Sequence, residues 1–183
     1  MIEASAVNIG ATCEVTTPLT DFDGHRYMGA WYEQVHTSNS WFQDDDATCS
    51  EAYYHDLDAD GYFTVENTGQ DADYDPRTGV TGKGYCPDQT GQCYVAFYGA
   101  PYRKPNYVVI DTDYESYSVV YCCDVKNYLW LLTREPVVSD ELYNHMLDIA
   151  HENLPDFPFD HLNARTPQGA KCTYLSPMEL LLQ

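Results

Sequence analysis

Seven cysteines, six histidines and an aspartate-rich run are the residues of this 183-residue chain with the most chemical potential. The cysteines stand at 13, 49, 86, 93, 122, 123 and 172, and no two form a C-x-x-C pair of the kind that holds a metal. Cysteines so widely spaced read as a disulfide framework built in an oxidising compartment. An odd count leaves at least one thiol unpaired or bonded to another chain. Cys86 and Cys93 flank the turn Pro87-Asp88-Gln89-Thr90-Gly91 and could close a hairpin. The run Asp56-Leu57-Asp58-Ala59-Asp60-Gly61 looks like the start of a calcium loop. Its twelfth position is Asn67, however, where a bidentate glutamate is required, and strand-like rather than helical sequence flanks it. It reads as an acidic hairpin turn. No nucleophile with an adjacent base is legible, so no catalytic residue, no metal ligand and no enzymatic activity is expected.

Composition narrows the function classes further. Asp and Glu number 29 against 9 Lys and Arg, a net charge of −20, which repels phosphate backbones and anionic membrane surfaces alike. Apolar residues make up 44% of the chain and Tyr alone contributes 17 residues, enough for one packed core with amphipathic rings to spare. No stretch approaches the ~18 apolar residues of a membrane span. The N-terminus, MIEASAVNIG, has no apolar signal core, so with the cysteine reading a removed targeting segment and an expression-start Met1 are expected. No Asn-x-Ser/Thr acceptor is present. The expected location is secreted, luminal or periplasmic.

The elements that must position these residues are mostly strands. Runs of strand character cover 29–39, 47–56, 62–68, 78–86, 93–98, 106–111, 116–124 and 128–134, with turn residues between them. That is the spacing of an antiparallel barrel or sandwich. One segment differs: Ser139 can cap a helix with Asp140 and Glu141 in its first turn, Leu142, Met146, Ile149 and Ala150 share a face, and Pro155 stops it.

Three motifs lie in order along these elements. Gly29-Ala30-Trp31 opens the first strand, Thr112-Asp113-Tyr114 precedes the seventh, and Arg134 ends the eighth. In these motifs, their separations and the capped helix after them, the chain resembles the lipocalin family from about Asp21 to Cys172. The branch it is most similar to contains apolipoprotein D, bacterial outer-membrane lipocalin and the crustacyanins. The resemblance implies an all-β, eight-stranded antiparallel up-and-down barrel with one C-terminal helix packed outside. It divides the chain into an arm (1–20), the barrel and helix (21–172) and a tail (173–183). Arg134 would lie across the Trp31 ring at the closed end, with Phe22 and Tyr27 as a plug. By the same resemblance Cys13 should bond Cys123 and Cys49 should bond Cys172. The Cys86–Cys93 bond is inferred from the turn alone, and Cys122 is left over as an unpaired thiol.

Ligand-lining positions in apolipoprotein D match Tyr54, Asn67, Tyr107, Trp130 and Leu132 of this chain. Strand alternation independently turns Tyr54, Trp130 and Leu132 inward, together with Glu33, Val35, Ser50, Ala52, Val120 and Cys122. The same alternation sends His36 and His55 to solvent, so no haem ligand is expected. The implied function is to carry or store a small lipophilic molecule (a bilin, carotenoid, retinoid, steroid or fatty acid), with no required cofactor beyond a bound pigment or lipid. Two alternatives stand beside it. One is a docking subunit with a filled barrel, using the apolar tail Met178-Glu179-Leu180-Leu181-Leu182 to meet a protein partner or a second copy. The other is a lipocalin-type enzyme acting on a lipid or carotenoid.

Overall fold

The computed structural model describes residues 19–38, 42–87, 90–99, 105–122 and 127–175, together with a two-residue backbone ribbon pairing Val7–Asn8 with Glu14–Val15. The tail residues Met178 to Leu182, and the Cys13 and Cys123 bond, lie outside the described residues.

Eight strands close into one barrel: β1 (Gly29–His36), β2 (Thr48–His55), β3 (Tyr62–Gln70), β4 (Thr78–Tyr85), β5 (Gln92–Phe97), β6 (Tyr107–Thr112), β7 (Tyr117–Cys122) and β8 (Tyr128–Thr133). Each pairs antiparallel with its sequence neighbour, and β8 returns to pair with β1, so the sheet has no free edge. Alternation along the strands divides the apolar residues between two clusters. The inner one gathers Trp31, Tyr54, Phe63, Val65, Cys93, Val109, Val120 and Leu132. The outer one gathers Val35, Val108, Ile110, Val119, Leu129 and Leu131 under a helix.

That helix, α2 (Asp140–Asn153), follows a short α1 (Gly24–Tyr27) at the head of the barrel. The Ser139 hydroxyl accepts from the Leu142 amide at 3.2 Å, and Asp140 and Glu141 sit where the helix dipole favours acids. Met146, Ile149 and Ala150 are buried against the outer cluster. The chain then runs back along β1: Thr37 bridges Leu162, and the Asn163 and Thr166 amides donate to the carbonyls of His36 and Gln34.

β1 corrects two expectations. Leu132 pairs with Glu33 but Leu131 pairs with Val35, so Gln34 is an extra residue, a β-bulge. Beyond it the alternation inverts. Val35, expected in the pocket, faces outward beneath α2, and His36, expected in solvent, turns inward beside Trp130 and is buried.

Candidate ligand-binding site

The closed end of the barrel is built on Trp31. Its indole Nε1 donates to the Tyr27 carbonyl at 2.8 Å, and the Arg134 guanidinium lies 3.7 Å from its ring centroid. Arg134 also donates to the carbonyls of Tyr114, Ala30, Arg26 and Tyr27. Gly29 has φ +98°, and a Cβ there would meet an Arg134 nitrogen at 3.3 Å, so the guanidinium needs glycine at this position. Thr112, Asp113 and Tyr114 fasten the same end. Asp113 accepts from the amides of Glu115, Ser116 and Tyr117, the Thr112 hydroxyl donates to the Tyr117 carbonyl, and the Tyr114 hydroxyl donates to the Asp21 carbonyl. Burial acts against the Asp113 charge, but the hydrogen bonds from Ser116, Tyr117 and Glu115 prevail and hold its carboxyl below the ordinary value.

Above Trp31 the inward faces can be read from the register. Trp31 pairs with Ala52, Ala52 with Asn67, and Asn67 with Val80, so these four share the interior. Tyr54, Phe63 and Val65 join them, as do Val95, Phe97, Tyr107, Val120, Trp130 and Leu132. The deeper members are buried. Asn67 is exposed, and Ala52, Val80, Val95, Phe97, Tyr107 and Trp130 are half-buried, although all face the inside of a closed sheet. Accessible surface on inward positions means that side chains leave a hollow above Trp31. Of the seven residues named as ligand-lining, six (Tyr54, Asn67, Tyr107, Trp130, Leu132 and Val120) therefore stand on this interior face, and Val35 does not. Half-buried Cys122 pairs with Tyr128, two positions from Val120 on the same face.

Two disulfides frame the interior. Cys49 bonds Cys172 and Cys86 bonds Cys93. Cys93 points inward, so the second bond abuts the floor. A depression of about 560 Å³ opens at the closed end; Phe22 and Met28 line it together with the floor residues Tyr27, Phe63, Cys93 and Tyr107.

Sequence reasoning missed the polar group at the mouth. The inverted His36 donates from Nδ1 to the Glu33 carboxylate at 2.9 Å, and that carboxylate also accepts from Gln43 Nε2 and Thr166 Oγ1, each at 2.7 Å. Among the described residues His36 Nε2 has no hydrogen bond, and it lies 3.9 Å from the Asp45 carboxylate. The loop carrying Gln43 and Asp45 also brings the Phe42 ring within 5.0 Å of Tyr128 and 6.2 Å of Trp130, across the rim. A bulge leaves no periodic signature, and the loop contacts are non-local; neither could be read from the chain.

Burial alone would raise the Glu33 pKa and lower that of His36, but the bond between them, with the added donors and Asp45, reverses both. The His36 contribution to stability is present below its ordinary 6.5 and is lost as pH rises through its raised folded value. The Glu33 contribution is present above its ordinary 4.5 and is lost as pH falls through its lowered folded value. The loop should therefore be most firmly held between these two ordinary values. Hydrogen-exchange protection at residues 42–47 is expected to fall on raising the pH above neutrality, and Glu33→Gln should flatten that dependence.

Comparison with known proteins agrees with this architecture. A lipocalin-like domain family matches residues 22–166. The chain belongs to the lipocalin family. It is 32% identical over 136 residues to the outer membrane lipoprotein Blc of Citrobacter freundii, covering 73% of this chain and 74% of that protein. It is 28% identical to apolipoprotein D of Bos taurus, covering 82% and 80%. Insecticyanin from the tobacco hornworm Manduca sexta superposes with a TM-score of 0.71 at 20% identity, over 90% of each chain. For this lipocalin the hollow interior is the calyx, and the Trp31–Arg134 stack is its closed end.

Proposed function

We propose that this lipocalin binds one small lipophilic molecule in its calyx and carries or stores it without transforming it. The observation that supports this best is the division of the inward face. Trp31, Val65, Val120 and Leu132 are buried, while Ala52, Val95, Phe97 and Trp130 on the same interior face keep accessible surface inside a closed barrel. Such a wall gains free energy when an apolar molecule replaces water against it. Bilins, carotenoids, retinoids, steroids and fatty acids are the candidate classes. The two disulfides and the likeness to an outer-membrane lipoprotein support residence in an oxidising compartment.

Nile red, a neutral fluorophore that brightens on leaving water, is the direct probe. It should bind saturably, and Trp130→Ala should weaken it by about 1–3 kcal/mol, the worth of one buried ring, while the melting temperature holds. Absence of saturable binding to the wild-type protein would remove the reading.

A further inference from the structure

The acidic run that looks like the start of a calcium loop forms one wall of the depression at the closed end. Asp58 Oδ1 accepts from the amides of Asp60 and Tyr62 at 2.9 Å each, so this carboxylate fixes its own turn. The α1 segment supplies a second wall, where Asp23 caps the helix by accepting from the His25 and Arg26 amides. The two walls pack closely: a Cβ on Gly24 would lie 3.2 Å from Leu57. A third wall, at Tyr85, Cys86 and Pro87, is tied down by the Cys86–Cys93 bond and by the Cys86 amide donating to the Gly61 carbonyl at 3.3 Å. The depression is therefore formed before any guest arrives, and about 560 Å³ is the size of a small-molecule site.

Its charge has one sign. Asp21, Asp23, Asp58 and Asp60 line it and are exposed, and no lysine or arginine does. Among the described residues none of these four carboxylates joins an ion pair, and those of Asp21 and Asp60 accept no hydrogen bond. Arg26 is turned elsewhere, over the Tyr114 ring at 4.5 Å and onto Glu115 at 3.1 Å. A cleft with apolar walls and one sign of charge concentrates the opposite ion.

Below the carboxylates the surface is apolar. Phe22, Tyr27, Phe63 and Cys93 are its buried floor, and Met28, Leu57 and Tyr85 are half-buried beside them. The phenols of the lining residues Tyr27 and Tyr107 are bonded within the barrel. Tyr27 Oη lies 2.8 Å from Tyr107 Oη and 2.9 Å from Ser118 Oγ, and Tyr54 Oη donates to Tyr107 Oη at 3.0 Å. Burial pushes the Tyr27 phenol up to about 12 and that of Tyr107 well above its ordinary value, so both stay neutral. The Arg134 charge acts on the Tyr27 phenol from its place over the Trp31 ring. A guest's positive charge is thus favoured at the rim and its apolar part at the floor. A bare metal ion would gain nothing from such a floor, and among the described residues no group of three His, Cys, Asp or Glu is placed to hold one.

We propose that the closed-end depression is a second binding site, for a monovalent organic cation. Its ammonium would lie among Asp21, Asp23, Asp58 and Asp60, with an aromatic or alkyl body against Phe22 and Phe63. This site does not depend on the calyx reading.

Calorimetric titration at neutral pH and low salt, with three ligands that share one body, tests it: 4-phenylbutylammonium, 4-phenylbutanol and 4-phenylbutanoate. The ammonium should bind saturably, the alcohol at least about tenfold more weakly, and the carboxylate more weakly still. Asp21→Asn combined with Asp60→Asn should weaken the ammonium about fivefold and leave the alcohol within about twofold, the scale of exposed charge pairs. Asp156→Asn combined with Asp160→Asn makes the same change in net charge at exposed carboxylates outside the depression, and should shift the ammonium by less than about twofold. Nile red in the calyx should stay bound while the ammonium saturates. Four results would each overturn the proposal: no saturable ammonium binding, an alcohol bound as tightly as the ammonium, equal effects of the two double variants, or displacement of Nile red by the ammonium. If Nile red fails to bind while the ammonium binds and depends on Asp21 and Asp60, the calyx reading falls and this one stands.

Discussion

Replacing Trp31 with alanine is expected to cost about 3–5 kcal/mol, the range for deleting a large buried ring. Trp31 has no accessible surface, and it joins three things at once: the Tyr27 carbonyl through its indole N–H, the Tyr27 ring at 5.0 Å, and the Arg134 guanidinium at 3.7 Å. Truncation leaves a cavity at the barrel floor and strips Arg134 of its stacking partner while its hydrogen bonds to four carbonyls remain. Against a typical stability of about 5–15 kcal/mol, the variant would be marginal. Urea unfolding followed by far-UV circular dichroism measures the loss. A shift below about 1 kcal/mol would show that the floor is not packed as described. Arg134→Met, which keeps the length but not the charge, should cost less than Trp31→Ala, since it leaves the ring in place.

Opening the Cys49–Cys172 bond is the second large effect. The bond joins residues 123 apart, so it removes far more freedom from the unfolded chain than Cys86–Cys93, which joins residues 7 apart. Loop-closure entropy assigns about 4–5 kcal/mol to the long loop and about 2–3 kcal/mol to the short one. The long bond also secures a strap. The Gln168 side chain donates to the carbonyls of Glu33 and Ser50, the Cys49 amide donates to the Pro167 carbonyl, and the Thr173 amide donates to Gln70. This strap closes the gap where β1 and β2 diverge beyond Tyr32 and Glu51, the last residues they pair. Cys172→Ala should therefore destabilise the protein by about 3–5 kcal/mol and more than Cys86→Ala does. It should also loosen Thr166 from Glu33. Equal effects of the two changes in a denaturant series would refute the loop-length argument.

The barrel was legible in the chain because its signals are local. Alternating apolar residues, turn residues between runs, and the Ser139 cap each act over a few positions, and all eight strands and α2 lie where those signals placed them. The expected and observed ends differ by at most three residues. The first strand stops at His36 rather than Asn39; Thr37 bridges Leu162 while its amide still donates to the Leu129 carbonyl. The interior was legible only as far as strict alternation holds. Trp130, Leu132 and Val120 follow it, on strands without an inserted residue of their own. Past the Gln34 bulge every inference for β1 inverted, which exchanged Val35 and His36 between the two faces. The mouth cluster was illegible for a different reason. Glu33, Gln43 and Thr166 are brought together from three separate segments, and no spacing in the sequence encodes their meeting. The hydroxyl chain of Tyr27, Tyr54, Tyr107 and Ser118 is hidden in the same way among many tyrosines.

The central claim is that the hollow above Trp31, and not the outer surface or the depression at the closed end, is where a lipophile sits. Val95 faces that hollow and is half-buried, with its backbone held by Asn106 on both its amide and its carbonyl. Val95→Trp would fill the space with a ring of about the size of a guest fragment while leaving the strand pairing intact. The measurement is a Nile red titration of the wild-type protein and of Val95→Trp, each checked for a cooperative thermal transition. The calyx account predicts one saturable site per wild-type chain and a loss of at least about tenfold in affinity, roughly 1.4 kcal/mol, in the filled variant. Undiminished binding by a folded Val95→Trp protein would contradict it.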